Sequence, residues 1–290
     1  MKMNKRQQFI AAAFSALGVM VTVNAQAAVT FVEGSYEYSQ NFNSLPNING
    51  SDPAWTNNAT LAGWYFFAGP NLDQYVSNIR VSTSSGSDRA HVSYGINGDS
   101  DRALGFQGGS THRYSPVTPS EYDTFGAIAV AFVNGTNVNF NEFAFNYTGE
   151  QWYISSNANR AHYLTVEYAI GNTGTEFNQL NWQTFDPAEI NPAGVDFYTP
   201  SIIRGTTGNG NLPENRVEGL GASVTGLDWA PGDALWLRWT ALNFPASDHG
   251  MAIDDFSISV KPVPLPAAIW MMLAGLGGLA SIRHRFVREL

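Results

Sequence analysis

Apolar and polar residues alternate one by one along several separate stretches of this chain. Leu164, Val166, Tyr168 and Ile170 alternate with Thr165, Glu167 and Ala169. Leu235, Leu237 and Trp239 alternate with Trp236, Arg238 and Thr240, and Phe256, Ile258 and Val260 with Ser257 and Ser259. A period of two places each apolar set on one face of a β-strand. Val138 and Phe140 keep one phase, whereas Phe143, Phe145 and Tyr147 keep the other. That slip predicts a β-bulge near Asn141-Glu142. Further strands are expected at Trp64–Ala68, Tyr75–Val81 and Ile128–Val133. No long helical period intervenes, so no helices are at hand to carry parallel crossovers. The expectation is all-β: antiparallel sheets packed face to face as a single jelly-roll or lectin-like β-sandwich over residues 28–260. Two long loops rich in Asn, Pro and Gly are expected at about 47–60 and 186–222.

Composition supports the same reading. Aromatic residues make up 13% of the chain and charged residues only 13%, as suits strands packed against each other rather than a disordered chain. There is no cysteine, so disulfides and thiol chemistry are excluded. Core size, and a metal if one is bound, must hold the domain. Between residues 7 and 260 lie eight arginines, no lysine and 23 of the 24 acidic residues, a formal charge of −15. Such a surface repels nucleic acid and anionic polysaccharide unless divalent cations bridge them, so no nucleic-acid partner is expected.

The ends have a different character. Lys2, Lys5 and Arg6 precede an apolar run, Phe9 to Val23, and then Ala25-Gln26-Ala27. A positive region, a short apolar core and a small-x-small site describe a secretory signal helix over residues 1–27, handled by the Sec machinery and signal peptidase. At the other end, residues 261–290 begin with Val263-Pro264-Leu265-Pro266-Ala267. An apolar stretch at about 265–282 follows, then Arg283, Arg285 and Arg288. The stretch is just long enough for a transmembrane helix, and the basic end would stop it on the cytoplasmic side. The tail alone is also consistent with a plain membrane anchor.

That order of proline motif, short span and basic stop resembles the PEP-CTERM sorting signal, in a V-P-L-P-A variant. The third position is Leu265 where the commoner form has Glu. The resemblance implies that an exosortase-like membrane protease processes the tail and passes the protein to the cell surface or exopolysaccharide matrix. Phrases within the domain also resemble one group of PEP-CTERM proteins: Asn41-Phe42-Asn43-Ser44-Leu45, Gly63-Trp64-Tyr65, Asp101-Arg102-Ala103-Leu104-Gly105, Trp229-Ala230-Pro231-Gly232 and Asp248-His249-Gly250. They imply export and a β-sandwich, and bring no activity with them. Ile253-Asp254-Asp255-Phe256 further resembles the last strand of MAM-type adhesive domains, in which a nearby acidic cluster binds calcium.

Signals for catalysis are poor. No HExxH, G-x-S-x-G, P-loop or dinucleotide pattern occurs. His249 reads as a turn residue, and Asp99 with Asp101 as a solvated turn that lacks the terminal Glu of an EF-hand. Asp254, in phase with Phe256, is expected to face the core, where a carboxylate needs a partner. Asn43, Asp254 and Asp255 are therefore the candidate ligands of a Ca²⁺ ion, whose preference is for oxygen donors. Among the many aromatics, Trp236 is expected on the solvent face beside Arg238, where its ring could stack on a sugar. The expected role is a non-enzymatic surface or biofilm-matrix protein with carbohydrate as the candidate ligand. A secreted glycan hydrolase and a purely structural adhesin stay open as alternatives.

Overall fold

The structure is a computed structural model, and it describes residues 29–83, 88–116, 118–155, 160–200 and 208–263. The signal helix, the motif from Pro264 to Ala267, the transmembrane stretch and Arg283, Arg285 and Arg288 lie outside the described residues. Within them, no helix is long and apolar enough to cross a membrane.

Along the chain the strands are β1 (Val29–Phe31), β2 (Glu37–Gln40), β3 (Trp64–Ala68), β4 (Gln74–Tyr75), β5 (Arg80–Ser82), β6 (Ala90–Tyr94) and β7 (Ala103–Gln107). Then come β8 (Thr124–Asn134), β9 (Phe140–Tyr153), β10 (Tyr163–Asn172), β11 (Phe197–Tyr198), β12 (Arg216–Trp229), β13 (Asp233–Leu242) and β14 (Gly250–Pro262). They form two seven-stranded sheets. The first runs β11-β10-β13-β8-β3-β4, with β1 also paired to β8. The second runs β12-β9-β14-β7-β6-β5, with β2 also paired to β14.

The sheets face each other through the alternating residues. The first contributes Trp64, Phe66, Ile128, Val130, Phe132, Leu237 and Trp239. The second contributes Phe143, Phe145, Tyr147, Met251, Ile253, Phe256 and Ile258. At the centre Trp64 and Trp239 stack with ring centroids 6.0 Å apart. Phe256 from the opposite sheet meets both rings edge-on, at 5.5 and 5.7 Å. Trp64 Nε1–H finds the Tyr38 hydroxyl at 3.0 Å, so its polar atom is satisfied.

The first sheet is packed over much of its outer face as well as its inner one. Its outer face carries Ala127, Ala129, Ala131 and Ala169, small residues that make room for Tyr65, Phe67 and Trp236. The turn Phe177–Gln179 lies over them, with Phe177 stacked on Phe67 at 3.7 Å. The second sheet is covered over half its outer face. There Tyr94 and Trp152 stack at 6.0 Å, and Gly210 lies so close to the Trp152 indole that a Cβ would come within 2.3 Å of it. The rest holds a shallow open groove lined mostly by small residues, including Ser39, Ala144, Asn146, Ser257 and Ser259.

The phase slip at Asn141-Glu142 coincides with register shifts in both ladders of β9, next to Phe140. Several expectations need correction. Two pairings, β1 with β8 and β5 with β6, are parallel, so the sheets are mixed. The stretch Tyr75–Val81 is not one strand. Val76 and Ile79 are buried as the chain crosses from β4 in one sheet to β5 in the other. The loop expected at 186–222 contains β11 and the start of β12.

Replacing Trp239 by Ala is expected to lower stability by about 3–5 kcal/mol, because the cavity would open where both sheets meet. Urea unfolding followed by fluorescence measures it. A loss under about 1 kcal/mol would show that this ring is not at the packing centre.

Candidate functional site

Two polar places stand out against this apolar body, and they use different elements. The first is at one corner of the second sheet. Met251 and Ile253 point into the core, and Ala252 points out toward Trp152. Alternation therefore sends Asp254 outward too. Asp255 has φ +48°, and the ladder shifts register between Asp254 and Ser257. This bulge lets Phe256 return to the core and corrects the expectation that Asp254 shares its face. Asp254 is nevertheless only 5% exposed, with Glu150 near it.

The corner holds more negative charge than the sequence suggested. Burial, with the charges of Glu150, Asp255 and Asp101 added, pushes the Asp254 carboxyl up to about 9. Burial likewise raises Glu150 to about 7, against a hydrogen bond from Trp152 Nε1–H at 2.8 Å. Asp101, also raised by burial and by Asp99 and Asp255, accepts from the Asn211 amide at 2.7 Å. Asn43 sits at the edge of this group, where its Oδ1 accepts the Arg102 backbone N–H at 3.1 Å. The oxygen donors suit a hard cation by type. Among the described residues, however, no three acidic or histidine side chains are arranged to hold a metal ion. Glu150 and Asp101 were not foreseen as members. Glu150 lies three residues past the β9 alternation that was read, and Asp101 was read as solvated.

The second place is at the end of the sandwich where the β13–β14, β7–β8 and β5–β6 loops converge. Arg89, Gln107, Gly108, Gly109, Ser110, Glu121, Asn243, Phe244, Ala246, Ser247 and Asp248 line a cleft of about 100 Å³. Arg89, Tyr122 and Ala246 around it all have positive φ, at 43°, 67° and 80°. Non-glycine residues hold such angles only when their surroundings fix them. Asn243 ties two of the loops by donating to the Pro119 and Ser120 carbonyls at 3.1 and 3.0 Å. Tyr122 stands exposed beside Glu121, with Arg160 donating to its hydroxyl at 3.0 Å.

Asp248 is buried at the base of this cleft. Its Oδ1 accepts the Phe244 backbone N–H at 2.9 Å, while its Oδ2 has no hydrogen-bond partner. Burial pushes this carboxyl up to about 7, opposed by the Phe244 bond and by Arg160 and Arg89. His162 Nδ1 is 3.6 Å from Oδ1 but already accepts the His249 N–H at 3.0 Å, so it brings no proton to the carboxylate.

Two pairs of neutral histidines stiffen this end. The Tyr114 N–H donates to His112 Nδ1, leaving Nε2–H of His112 to donate to His91 Nδ1 at 2.9 Å. His249 Nδ1 accepts from the Ser155 N–H, and its ring meets His162 at 4.4 Å. His249 is thus a buried structural histidine of the β14 entrance. Burial lowers His112 to about 4 and His162 to about 3.

Trp236 and Arg238 are not where a ligand could use them as expected. Trp236 is 3% exposed, under Phe177 and Tyr65. Arg238 is paired with Glu167 at 2.7 Å and lies over the Trp182 ring at 4.0 Å. The reason is the 173–183 connection, which covers the face that alternation alone assigned to solvent. Trp55, Trp64, Tyr65, Trp152, Trp229 and Trp239 are buried as well. Among the described residues the exposed rings are Tyr75, Tyr122 and Tyr198.

No family model matches the chain, and no curated protein matches it in sequence. Among solved structures it is similar to TmCBM61 in complex with beta-1,4-galactotriose, at 10% identity and a TM-score of 0.30, over 77% of this chain and 99% of that one. A second, from work on the promiscuous specificity of carbohydrate-binding modules from the β-sandwich superfamily, gives 12% identity and a TM-score of 0.26. It spans 75% of this chain and 63% of that one. At these scores the likenesses carry no argument about function.

Two outcomes test the geometry. The imidazole protons of His112 and His162 should not titrate between pH 7 and 5 by NMR, because both values lie below that range. The unfolded chain takes up these protons near pH 6.5, so the stability the two rings contribute is full above that and declines as pH falls toward 4 and 3. A titration midpoint near 6.5 for either ring would remove its burial. At pH 8 in chelator, Asp254→Asn should raise the unfolding midpoint. A carboxyl with a raised folded value contributes most below its unfolded value near 4 and loses that contribution as pH rises toward 9. A lowered midpoint would show that the charged form is satisfied by local hydrogen bonds.

Proposed function

We propose that this is an exported, non-enzymatic cell-surface or exopolysaccharide-matrix protein whose β-sandwich binds carbohydrate at the loop-end cleft. The observation that carries this reading is the cleft and its placement. Asp248, Asn243, Gln107, Arg89 and Glu121 line it together, a planar polar set of the kind that hydrogen-bonds hydroxyl groups. Its volume admits one projecting group of a sugar, not a whole ring. The exposed Tyr122 at its rim offers an apolar face for the ring itself.

Placement adds to this. Val29 pairs beside Phe132, and the Val263 N–H donates to the Asn139 carbonyl at 2.8 Å, so both described ends of the chain flank the β8–β9 turn. The cleft is at the opposite pole, one length of β14 away, or about 40 Å. A domain tethered by its C-terminal tail would present the cleft outward.

In this reading a signal peptidase removes residues 1–27, and an exosortase-like protease acts at Val263-Pro264-Leu265-Pro266-Ala267. Arg283, Arg285 and Arg288 hold the tail in the membrane until then. The sandwich is read as jelly-roll or lectin-like. Ca²⁺ would draw on the oxygens of Asp254 and Asp255 at the corner of the second sheet, with the charges of Glu150 and Asp101 beside them. Asn43 would support that corner through Arg102.

A hydrolase reading draws on one observation: Asp248 and Glu121 line the same cleft, as a carboxyl pair for glycoside cleavage must.

A glycan-binding screen with and without chelator, paired with a reducing-end assay on the same saccharides, tests the proposal. Expected is saccharide binding with no bond cleavage, and a lower unfolding temperature in chelator. Release of reducing ends would favour the hydrolase, and no binding in either condition would leave a structural adhesin. Mass spectrometry of surface material should find the chain ending near residue 264. An intact end at Leu290 would overturn processing.

A further inference from the structure

We infer that the loop end of the first sheet holds a neutral, linear polysaccharide laid across its strands, with the rings of Tyr122, Tyr163 and Tyr198 under successive sugar units. This rests on the carbohydrate reading of the neighbouring cleft and names the ligand class: an extended chain rather than a mono- or disaccharide.

The line of rings follows from the pairing of the strands. Tyr198 of β11 stands opposite Tyr163 of β10, and their ring centroids are 5.4 Å apart. Their neighbours Phe197 and Leu164 belong to the core, so alternation turns both tyrosines to the outer face. Phe244 comes next, just past the end of β13, with its ring 5.3 Å from that of Tyr163. Tyr122 is last, just before β8, with its ring 6.2 Å from that of Phe244. The strands β11, β10, β13 and β8 are neighbours in that order, so the rings cross the sheet as its strands do. Three strand spacings put Tyr198 and Tyr122 about 14 Å apart, room for about three pyranose rings in line.

The ends of this line are presented to solvent and its middle is braced. Tyr198 and Tyr122 are each 55% exposed, and Tyr163 is half-buried. Phe244 is buried and meets both Tyr163 and Tyr122 edge-on, so it supports them. The Tyr122 N–H donates to the Asn243 carbonyl at 2.6 Å, and its hydroxyl accepts from Arg160 at 3.0 Å. Arg160 precedes β10, so this bond draws the Tyr122 ring across the end of β13 toward Tyr163. The backbone of Tyr122 pays for this place with a φ of +67°, a strain that persists where the surroundings enforce it.

Shape and charge define the occupant. A pyranose has an apolar C–H face and a rim of hydroxyls, so stacking on tyrosine buries the face and leaves the rim in water. A line one ring wide falls far short of the about 800 Å² per side that a stable protein interface buries. Arg160 and Glu121 beside the line are of opposite sign, and the stretch between residues 7 and 260 carries a formal charge of −15, which repels an anionic chain. Phe244 and Glu121 also line the cleft, so one unit can project a group into it while the tyrosines carry its neighbours.

The test is calorimetric titration of the protein at pH 7 with cellohexaose and mannohexaose, and with the disaccharides cellobiose and mannobiose. Expected is at least about tenfold tighter binding of one hexamer than of its own disaccharide, the order of one added stacking contact. Tyr198 is the ring farthest from the cleft. Tyr198→Ala should therefore weaken the hexamer about fivefold to tenfold and leave the disaccharide unchanged. NMR of the unaltered protein gives a reading that does not depend on the variant's folding: the Tyr198 ring signals should move with the hexamer and stay with the disaccharide. Equal affinity for hexamer and disaccharide overturns this inference and leaves binding at the cleft standing. So does a hexamer preference that survives in Tyr198→Ala with unmoved Tyr198 signals. Absence of binding by all four sugars also overturns it, and the wider glycan screen then decides the cleft on its own.

Discussion

The contact between the two sheets at Trp64, Trp239 and Phe256 is the interaction on which the rest depends. The chain has no cysteine to staple it, so the inter-sheet layer supplies the cohesion. The large rings come from β3, β13 and β14, and their edge-to-face packing fixes how the sheets align. Once β13 and β14 are set by those rings, the short loop between them must turn within a few residues. Ala246 takes up its positive-φ conformation there, between Asn243 and Asp248. The cleft is thus a product of the core beneath it.

Much of the body was legible in the sequence, because strand alternation is a local signal that burial enforces. The strands β10, β13 and β14 fall on their alternating runs, and even the slip at Asn141-Glu142 is a real irregularity of the ladder. What alternation cannot carry is which face a later segment will cover. Trp236 obeys its period and lies opposite Trp239, but Phe177 and its neighbours pack over it. Nor does alternation survive a bulge. One residue in the left-handed region, Asp255, turns Asp254 away from the core, and nothing short of the pairing register reveals that.

The polar sites were legible only in part, for a reason of distance. Asp254 announced itself as a carboxylate in an apolar strand, yet the neighbours that raise it, Glu150 and Asp101, are a hundred or more residues upstream. Asp248 was visible as part of a turn, but its meaning comes from Phe244 across its own loop and from Gly108 and His162 on other segments. Linear spacing reads motifs within one element. It does not read constellations assembled by the meeting of three loops.

The position of the chain ends has a mechanical consequence. Suppose the tail is held at the Asn139 pole while a ligand pulls at the cleft. Tension then runs lengthwise along β14, which is flanked by β9 over most of its length and by β2 and β7 in succession on its other side. Pulled in that direction, the ladder is loaded in shear, and its bonds must give way together rather than one after another as in unzipping. The same strand that joins the sorting tail to the binding loops would then be the stiff beam that bears the load between them.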